Sequence, residues 1–252
     1  MTAAPLRRRA LTEAVGTAAL VAVVVGSGIQ ATELSRDVGV QLLANSLATI
    51  LGLGVLITLL GPVSGAHLNP VVTLAAWFTG RRTDDEGLSG RDVAAYVPAQ
   101  IAGAIAGAVL ADAMFGKPLV HWSTHDRSAG HLLLGETVAT AGLVLLVFGL
   151  ARAGRDRFTP VAVASYIGAA YWFTSSTSFA NPAVTIGRTF TDTFAGIAPG
   201  SIAPFTAAQA GGAVLGLALV TAVFGRATPH DPTRPDTPTT HGEPEPTARA
   251  LP

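Results

Sequence analysis

Two stretches of this chain set asparagine before proline in the same way: GAHLNPVVTL at 65–74 and SFANPAVTIG at 178–187. Asparagine is a preferred helix N-cap, and proline suits the first helical position, where its missing N–H would have no partner. Asn69-Pro70 and Asn181-Pro182 therefore predict two helix starts. The apolar runs behind them, VVTLAAWF and AVTIGRTF, are too short to cross a bilayer, and each is preceded by Gly, Ser and Thr rather than by more helix. They are expected to be re-entrant half-helices. Irregular backbone at membrane depth is tolerated only where protein buries it or a water path runs beside it. Two half-helices arriving from opposite sides bring their N-termini together, each with roughly half a positive charge. That field repels cations, while the Asn amides are free to donate hydrogen bonds to a neutral solute.

Other residues with chemical potential are fewer. Glu13 and Glu136 lie in apolar spans, where ionisable groups are functional candidates by default. Their matched placement favours holding the backbone before each half-helix over a proton relay. His67, two residues before Asn69, either lines a path or is packed. His121, His125 and His131 gather near Asp126, but their spacing fits no metal motif of defined geometry, so a solvated loop and no metal are expected. There is no cysteine, which excludes disulfides, thiolate metal sites and a Cys nucleophile. The spans hold no Ser/His/Asp set or phosphate loop. An enzyme is not expected, nor any cofactor.

The elements that must position these residues follow from composition. Of 252 residues 49% are hydrophobic and 13% charged, against about 25% charged in an average soluble domain. Apolar stretches near the length of a bilayer span occur around 10–30, 38–60, 93–113, 131–151, 159–175 and 202–224, the fifth being short. An all-α, multi-pass membrane protein is expected, embedded in a lipid bilayer. Net charge is zero, which gives no field for nucleic acid. Arg7, Arg8, Arg9, Arg81, Arg82, Arg91, Arg152, Arg155, Arg157 and Arg226 fall on one side of six alternating helices, against Arg36, Lys117, Arg127 and Arg188 on the other. The positive-inside rule then places both termini in the cytoplasm. Residues 1–8 read as a cytoplasmic N-terminus. The Pro-rich segment 226–252 reads as a disordered cytoplasmic tail, too polar to bury a core. Arginine in place of lysine, with abundant Ala and Gly, points to a GC-rich bacterial genome and hence a bacterial plasma membrane.

The chain also repeats itself. TEAVGTAALV (12–21) answers GETVATAGLV (135–144), and AQIAGAIAGAVLA (99–111) answers AQAGGAVLGLALV (208–220). Glu, Asn-Pro and Ala-Gln recur in the same order within 9–113 and 131–225. Three spans per half force the second half to cross from the other side, an inverted repeat that brings equivalent segments face to face near mid-bilayer. Gly103 and Gly107, then Gly212 and Gly216, recur at helical spacing and predict close helix packing.

With these motifs, residues 9–225 resemble the aquaporin, or major intrinsic protein, family, whose two signature boxes match SGAHLNPVVT and FANPAVTIG. The first box reads Asn69-Pro70-Val71 where the family usually has alanine third; the second keeps Asn181-Pro182-Ala183. The resemblance implies six helices plus two half-helices, a homotetramer with one pore per subunit, paired glutamates supporting the loops, and His67 lining the cytoplasmic half of the pore. Aquaporin-type pores are themselves the standard illustration of selectivity set by bore, lining hydrogen bonds and electrostatic barriers. Most members place an arginine directly after the second Asn-Pro-Ala; here that position is Val184. Counting back without gaps puts the rest of the narrow filter at Thr49, Ala169 and Ser178. Four small uncharged residues imply a wide filter lacking arginine's donor fork and charge. The expected function is a passive channel for small neutral solutes: glycerol-like polyols, or undissociated arsenous acid as in bacterial members associated with arsenic resistance, together with water. Two alternatives stand: a water-selective pore of the same family, or an ion-coupled secondary transporter, which inverted repeats also describe. Arg188 admits two readings, a substitute for the missing filter charge or a group that satisfies carbonyls and pairs with Asp192 at a half-helix C-terminus.

Overall fold

In a computed structural model, residues 4–80 and 87–225 are described; Arg81, Arg82, Arg226 and the Pro-rich tail lie outside them. Eight α-helices follow in order among the described residues: α1 Leu6–Leu34, α2 Val38–Ser64, α3 Pro70–Gly80, α4 Gly90–Met114, α5 Gly130–Arg152, α6 Thr159–Phe173, α7 Pro182–Gly187 and α8 Ile202–Phe224. Five of them, α1, α2, α4, α5 and the segment containing α8, are long and apolar enough to cross a membrane. The sixth predicted span, α6, has only 15 residues, about 22 Å at 1.5 Å per residue. A 3-10 turn at Asp156–Phe158 precedes it and irregular chain follows it. The half-helices have 11 and 6 residues, so end to end they amount to about one span, roughly 25 Å.

α1 packs along α4 and α5 along α8, while α2 lies against α1 and α6, and α7 against α4. Glycine sets the closeness of both long pairs. A Cβ on Gly103 or Gly107 would sit 2.2 Å from the carbonyl oxygen of Ala14 or Ala18, and one on Gly212 or Gly216 would sit 2.5 or 2.7 Å from that of Thr137 or Ala141. The same contact is thus built twice, once per half, as an inverted repeat requires. The outward face of α2 carries Leu47, Leu51, Val55 and Leu59 exposed in successive turns, a stripe suited to hydrocarbon rather than water. Arg9, counted above among topological charges, lies within α1 and pairs with Asp92 of α4 at 2.5 Å.

Because main chain cannot retreat as a side-chain tip can, Gly107→Val and Gly216→Val are expected to lower the midpoint of thermal unfolding in detergent, with overpacking costing about 1–3 kcal/mol or more. Gly211→Ala, where nothing lies within 4 Å of the added Cβ, serves as the control: it should be neutral or stabilising by about 0.5–1 kcal/mol.

Candidate functional site

The site begins with two loops whose backbone is improbable by itself. Ala66 and Leu68 before Asn69, and Ser178 and Ala180 before Asn181, all have positive φ between 46° and 52°. Such conformations cost about 1–3 kcal/mol each for residues other than glycine. They recur at the same offsets from the two asparagines and turn main-chain N–H groups inward toward a carboxylate. Glu13 of α1 accepts from Leu68 N (2.6 Å), His67 N (3.0 Å) and Ser64 Oγ (2.6 Å). Glu136 of α5 accepts from Phe179 N and Ala180 N, both at 2.8 Å. Both carboxylates are fully buried. Hydrogen bonds to an ionised acceptor are the strong kind, so each glutamate is the anchor of its loop.

Two glutamines complete the frame. Gln100 Nε2 on α4 bridges Glu13 Oε2 (2.8 Å) to Thr73 Oγ1 of α3 (2.9 Å). Gln209 Nε2 on α8 bridges Glu136 Oε2 (2.7 Å) to Thr185 Oγ1 of α7 (2.9 Å). Neither was read as functional from sequence, although the recurring Ala-Gln pair was the signal.

Held this way, the loops cross-bridge. Asn69 Nδ2 donates to the Ala180 carbonyl at 2.8 Å, and Asn181 Nδ2 donates to the Leu68 carbonyl at 2.7 Å. Each Oδ1 meanwhile caps its own half-helix, Asn69 accepting from Val71 N (3.0 Å) and Asn181 from Ala183 N (3.0 Å). The asparagines are therefore not released from capping, as the sequence suggested; they cap and bridge at once. A primary amide has two N–H donors, so the bridge leaves one on each Asn.

Both asparagines line one cavity of about 580 Å³. It runs from Asp156, Arg157 and Thr159 on the face carrying the start of α1, past His67, Asn69 and Asn181, to Thr49, Tyr171, Ser178, Val184 and Arg188. His67 is thus on the cavity wall, its Nδ1 3.1 Å from Thr73 Oγ1. Pro70, Val71, Pro182 and Ala183 are buried behind it as the first turns of α3 and α7.

Comparison with known proteins decides what this cavity belongs to. The model of the family described as major intrinsic protein matches residues 1–178. Aquaglyceroporin AqpS of Rhizobium meliloti is 50% identical over 215 residues, covering 85% of this chain and 89% of that protein. The chain belongs to the major intrinsic protein family. It is accordingly a multi-pass membrane channel and not an enzyme. The glycerol uptake facilitator protein of Bacillus subtilis is 29% identical over 167 residues, covering 58% of this chain and 55% of that protein. In fold, the aquaglyceroporin from Plasmodium falciparum superposes with a TM-score of 0.59 at 21% identity, covering 84% of this chain and 95% of that one.

Within this major intrinsic protein, three of the four positions counted from sequence, Thr49, Ser178 and Val184, line the cavity. Ala169 does not. It is exposed on the outer side of α6, and the α6 residues that line the cavity are Thr159, Pro160, Val163, Ile167 and Tyr171. Two steps along a helix rotate a side chain by about 200°, so a two-residue error in counting turns the filter face outward. Tyr171, missed in the sequence, is buried with its hydroxyl 3.2 Å from Thr49 Oγ1.

Arg188 satisfies neither sequence reading completely. Its Nε donates to the Ala195 carbonyl, as a group serving carbonyls should. Asp192 is not its partner: that carboxylate accepts from Thr124 N at 2.9 Å, and hydrogen bonds from Thr124 hold it below the usual carboxylate range. Among the described residues no group of three or more His, Cys, Asp and Glu stands close enough to hold a metal ion. Asp126 instead accepts from Ser128 N and Ser201 Oγ, both at 2.9 Å.

Glu136→Gln keeps the size of the side chain but replaces one acceptor oxygen by a donor. It leaves a loop N–H or Gln209 facing a donor, at about 1–3 kcal/mol per unsatisfied buried group. The expected outcome is a lower unfolding temperature in detergent and a matching loss of water permeability in proteoliposomes. A proton relay would instead lose only the pH dependence of flux, at normal stability.

Proposed function

We propose that this channel conducts small neutral polyhydroxylated solutes, glycerol foremost and undissociated arsenous acid with it, together with water. The constriction is formed by Thr49, Tyr171, Ser178 and Val184, with the free amide N–H groups of Asn69 and Asn181 as hydrogen-bond donors and Glu13 and Glu136 as loop anchors. The observation that carries this reading is Val184: it lines the cavity in the first turn of α7, at the position of the family's usual filter arginine. A valine there leaves space and removes a fixed donor fork.

With Tyr171 in place of Ala169, the ring is not uniformly small. One wall is aromatic, and three side chains carry hydroxyls. That arrangement suits a solute with a hydrocarbon edge and several oxygens, as glycerol has, better than a solute as small as water. The Ser178 hydroxyl is buried at the cavity wall with no hydrogen-bond partner among the described residues, and a passing hydroxyl would supply one. The names of the two bacterial relatives above, an aquaglyceroporin and a glycerol uptake facilitator, agree with this solute class.

The transporter alternative needs a coupling-ion ligand inside the bundle. Glu13 and Glu136 are committed to the loops, and Asp112 at a helix end accepts from Thr191, so the geometry favours a passive pore. As the family resemblance implies, four copies assemble with one pore each. The arginine-rich face, which includes the start of α1 and Arg152, Arg155 and Arg157, is the cytoplasmic face of a bacterial plasma membrane.

Stopped-flow swelling of proteoliposomes tests this. Glycerol and arsenous acid should enter without saturation and without response to a proton or sodium gradient. Val184→Arg should reduce glycerol flux roughly tenfold, the equivalent of a steric penalty of about 1.4 kcal/mol, while sparing more of the water flux. Gradient-dependent uptake, or equal glycerol flux in Val184→Arg, would contradict the reading.

A further inference from the structure

A pore without its filter arginine still has to refuse cations, and the structure offers another charge for that task. Arg188 caps α7, its backbone N–H donating to the Val184 carbonyl, so it stands one turn beyond the valine and reaches the same cavity. It is 4% exposed. Its guanidinium lies over the ring of Phe179, 3.5 Å from the centroid. A second arginine shares that ring: Arg127, from the α4–α5 connection, stands 5.1 Å from the same centroid and donates from Nε to the Gly196 carbonyl at 3.1 Å. Two cations therefore flank one aromatic ring beside the cavity, each fastened by a main-chain carbonyl.

Neither makes an ion pair with a described residue. Among the described residues the ion pairs are Arg9 with Asp92 and Lys117 with Glu33. Glu136, which anchors the loop carrying Phe179, is the acid that acts electrostatically on both arginines, one acid against two guanidiniums. Keeping an excess of positive charge buried is costly. The aromatic face and the carbonyls lower that cost without cancelling the field.

We propose that Arg188, with Arg127 behind Phe179, is the electrostatic barrier that excludes cations from this channel, set beside the constriction instead of within it. Width is then governed at Val184 and charge one turn further on, so a bulky neutral solute passes where a cation does not. This rests on the neutral-solute reading above.

The test uses the purified full-length channel in proteoliposomes, measuring sodium and proton leak under a clamped diffusion potential beside glycerol swelling in the same vesicles. In Arg188→Gln the ratio of cation leak to glycerol flux should rise about tenfold, the low end of what focused charge does in a low-dielectric cleft. Arg188→Lys, which keeps the charge but not the planar fork, should hold the ratio near that of the unaltered channel. If Gln and Lys at this position give the same ratio, the inference is overturned. Should Arg188→Gln fail to reconstitute, Arg127→Gln decides instead: a raised ratio of cation leak to water flux supports the barrier, and an unaltered ratio overturns it. Failure of the solute reading looks different, because the unaltered channel would then pass water but no glycerol above protein-free vesicles. In that case the charge test is read against water flux alone.

Discussion

Two carboxylates inside the bilayer hold main-chain N–H groups that no helix can satisfy, and the rest of the molecule is arranged around that fact. A re-entrant loop at membrane depth has no water to complete its hydrogen bonds. It also has to turn sharply, which here puts Ala66, Leu68, Ser178 and Ala180 in the left-handed region. The charge-assisted bonds to Glu13 and Glu136 offset both costs. Gln100 and Gln209 then tie each carboxylate to the half-helix it serves through Thr73 and Thr185, so loop and helix share one hydrogen-bonded chain.

What the anchored loops achieve is the placement of two amides. Each asparagine gives its oxygen to its own helix and one N–H to the other loop's carbonyl. The reciprocity locks the two halves of the repeat together at their tips. It also fixes the direction of the remaining N–H donors within a cavity whose other lining is mostly apolar, including Leu53, Val72, Leu143 and Ile167. A solute passing there meets few polar partners, and those few are rigid. In the proposed function, such donors in an apolar wall select by the count and spacing of a solute's oxygens.

Beyond the asparagines, the function proposed above assigns bore and charge to different residues. Val184 gives up the arginine that elsewhere serves both purposes, and Tyr171 supplies an aromatic wall with its hydroxyl engaged by Thr49. Arg188 and Arg127 keep positive charge nearby, leaning on Phe179 instead of on the solute path. Close packing makes this division possible: α7 lies so near α4 that a Cβ on Gly187 would be 2.6 Å from main-chain atoms of Ala104, which leaves a six-residue helix enough support to present both residues.

The sequence by itself determined the parts governed by local rules. Hydropathy marked the long helices, proline and asparagine marked where α3 and α7 begin, and the ordered recurrence of Glu, Asn-Pro and Ala-Gln announced two halves facing opposite ways. It also singled out Thr49, Ser178 and Val184, which line the cavity. It did not locate Tyr171, because α6 ends at Phe173 and seven irregular residues separate it from Asn181. Counting through such a loop loses the helical phase, and Ala169 falls on the wrong side. Nor did it distinguish the two readings of Arg188, or show that Gln100, Gln209 and Phe179 have work to do. Those assignments depend on which segments, remote along the chain, meet across the bundle. A buried hydrogen bond or a ring stacked under a guanidinium is a property of that meeting, and only the tertiary structure decides it.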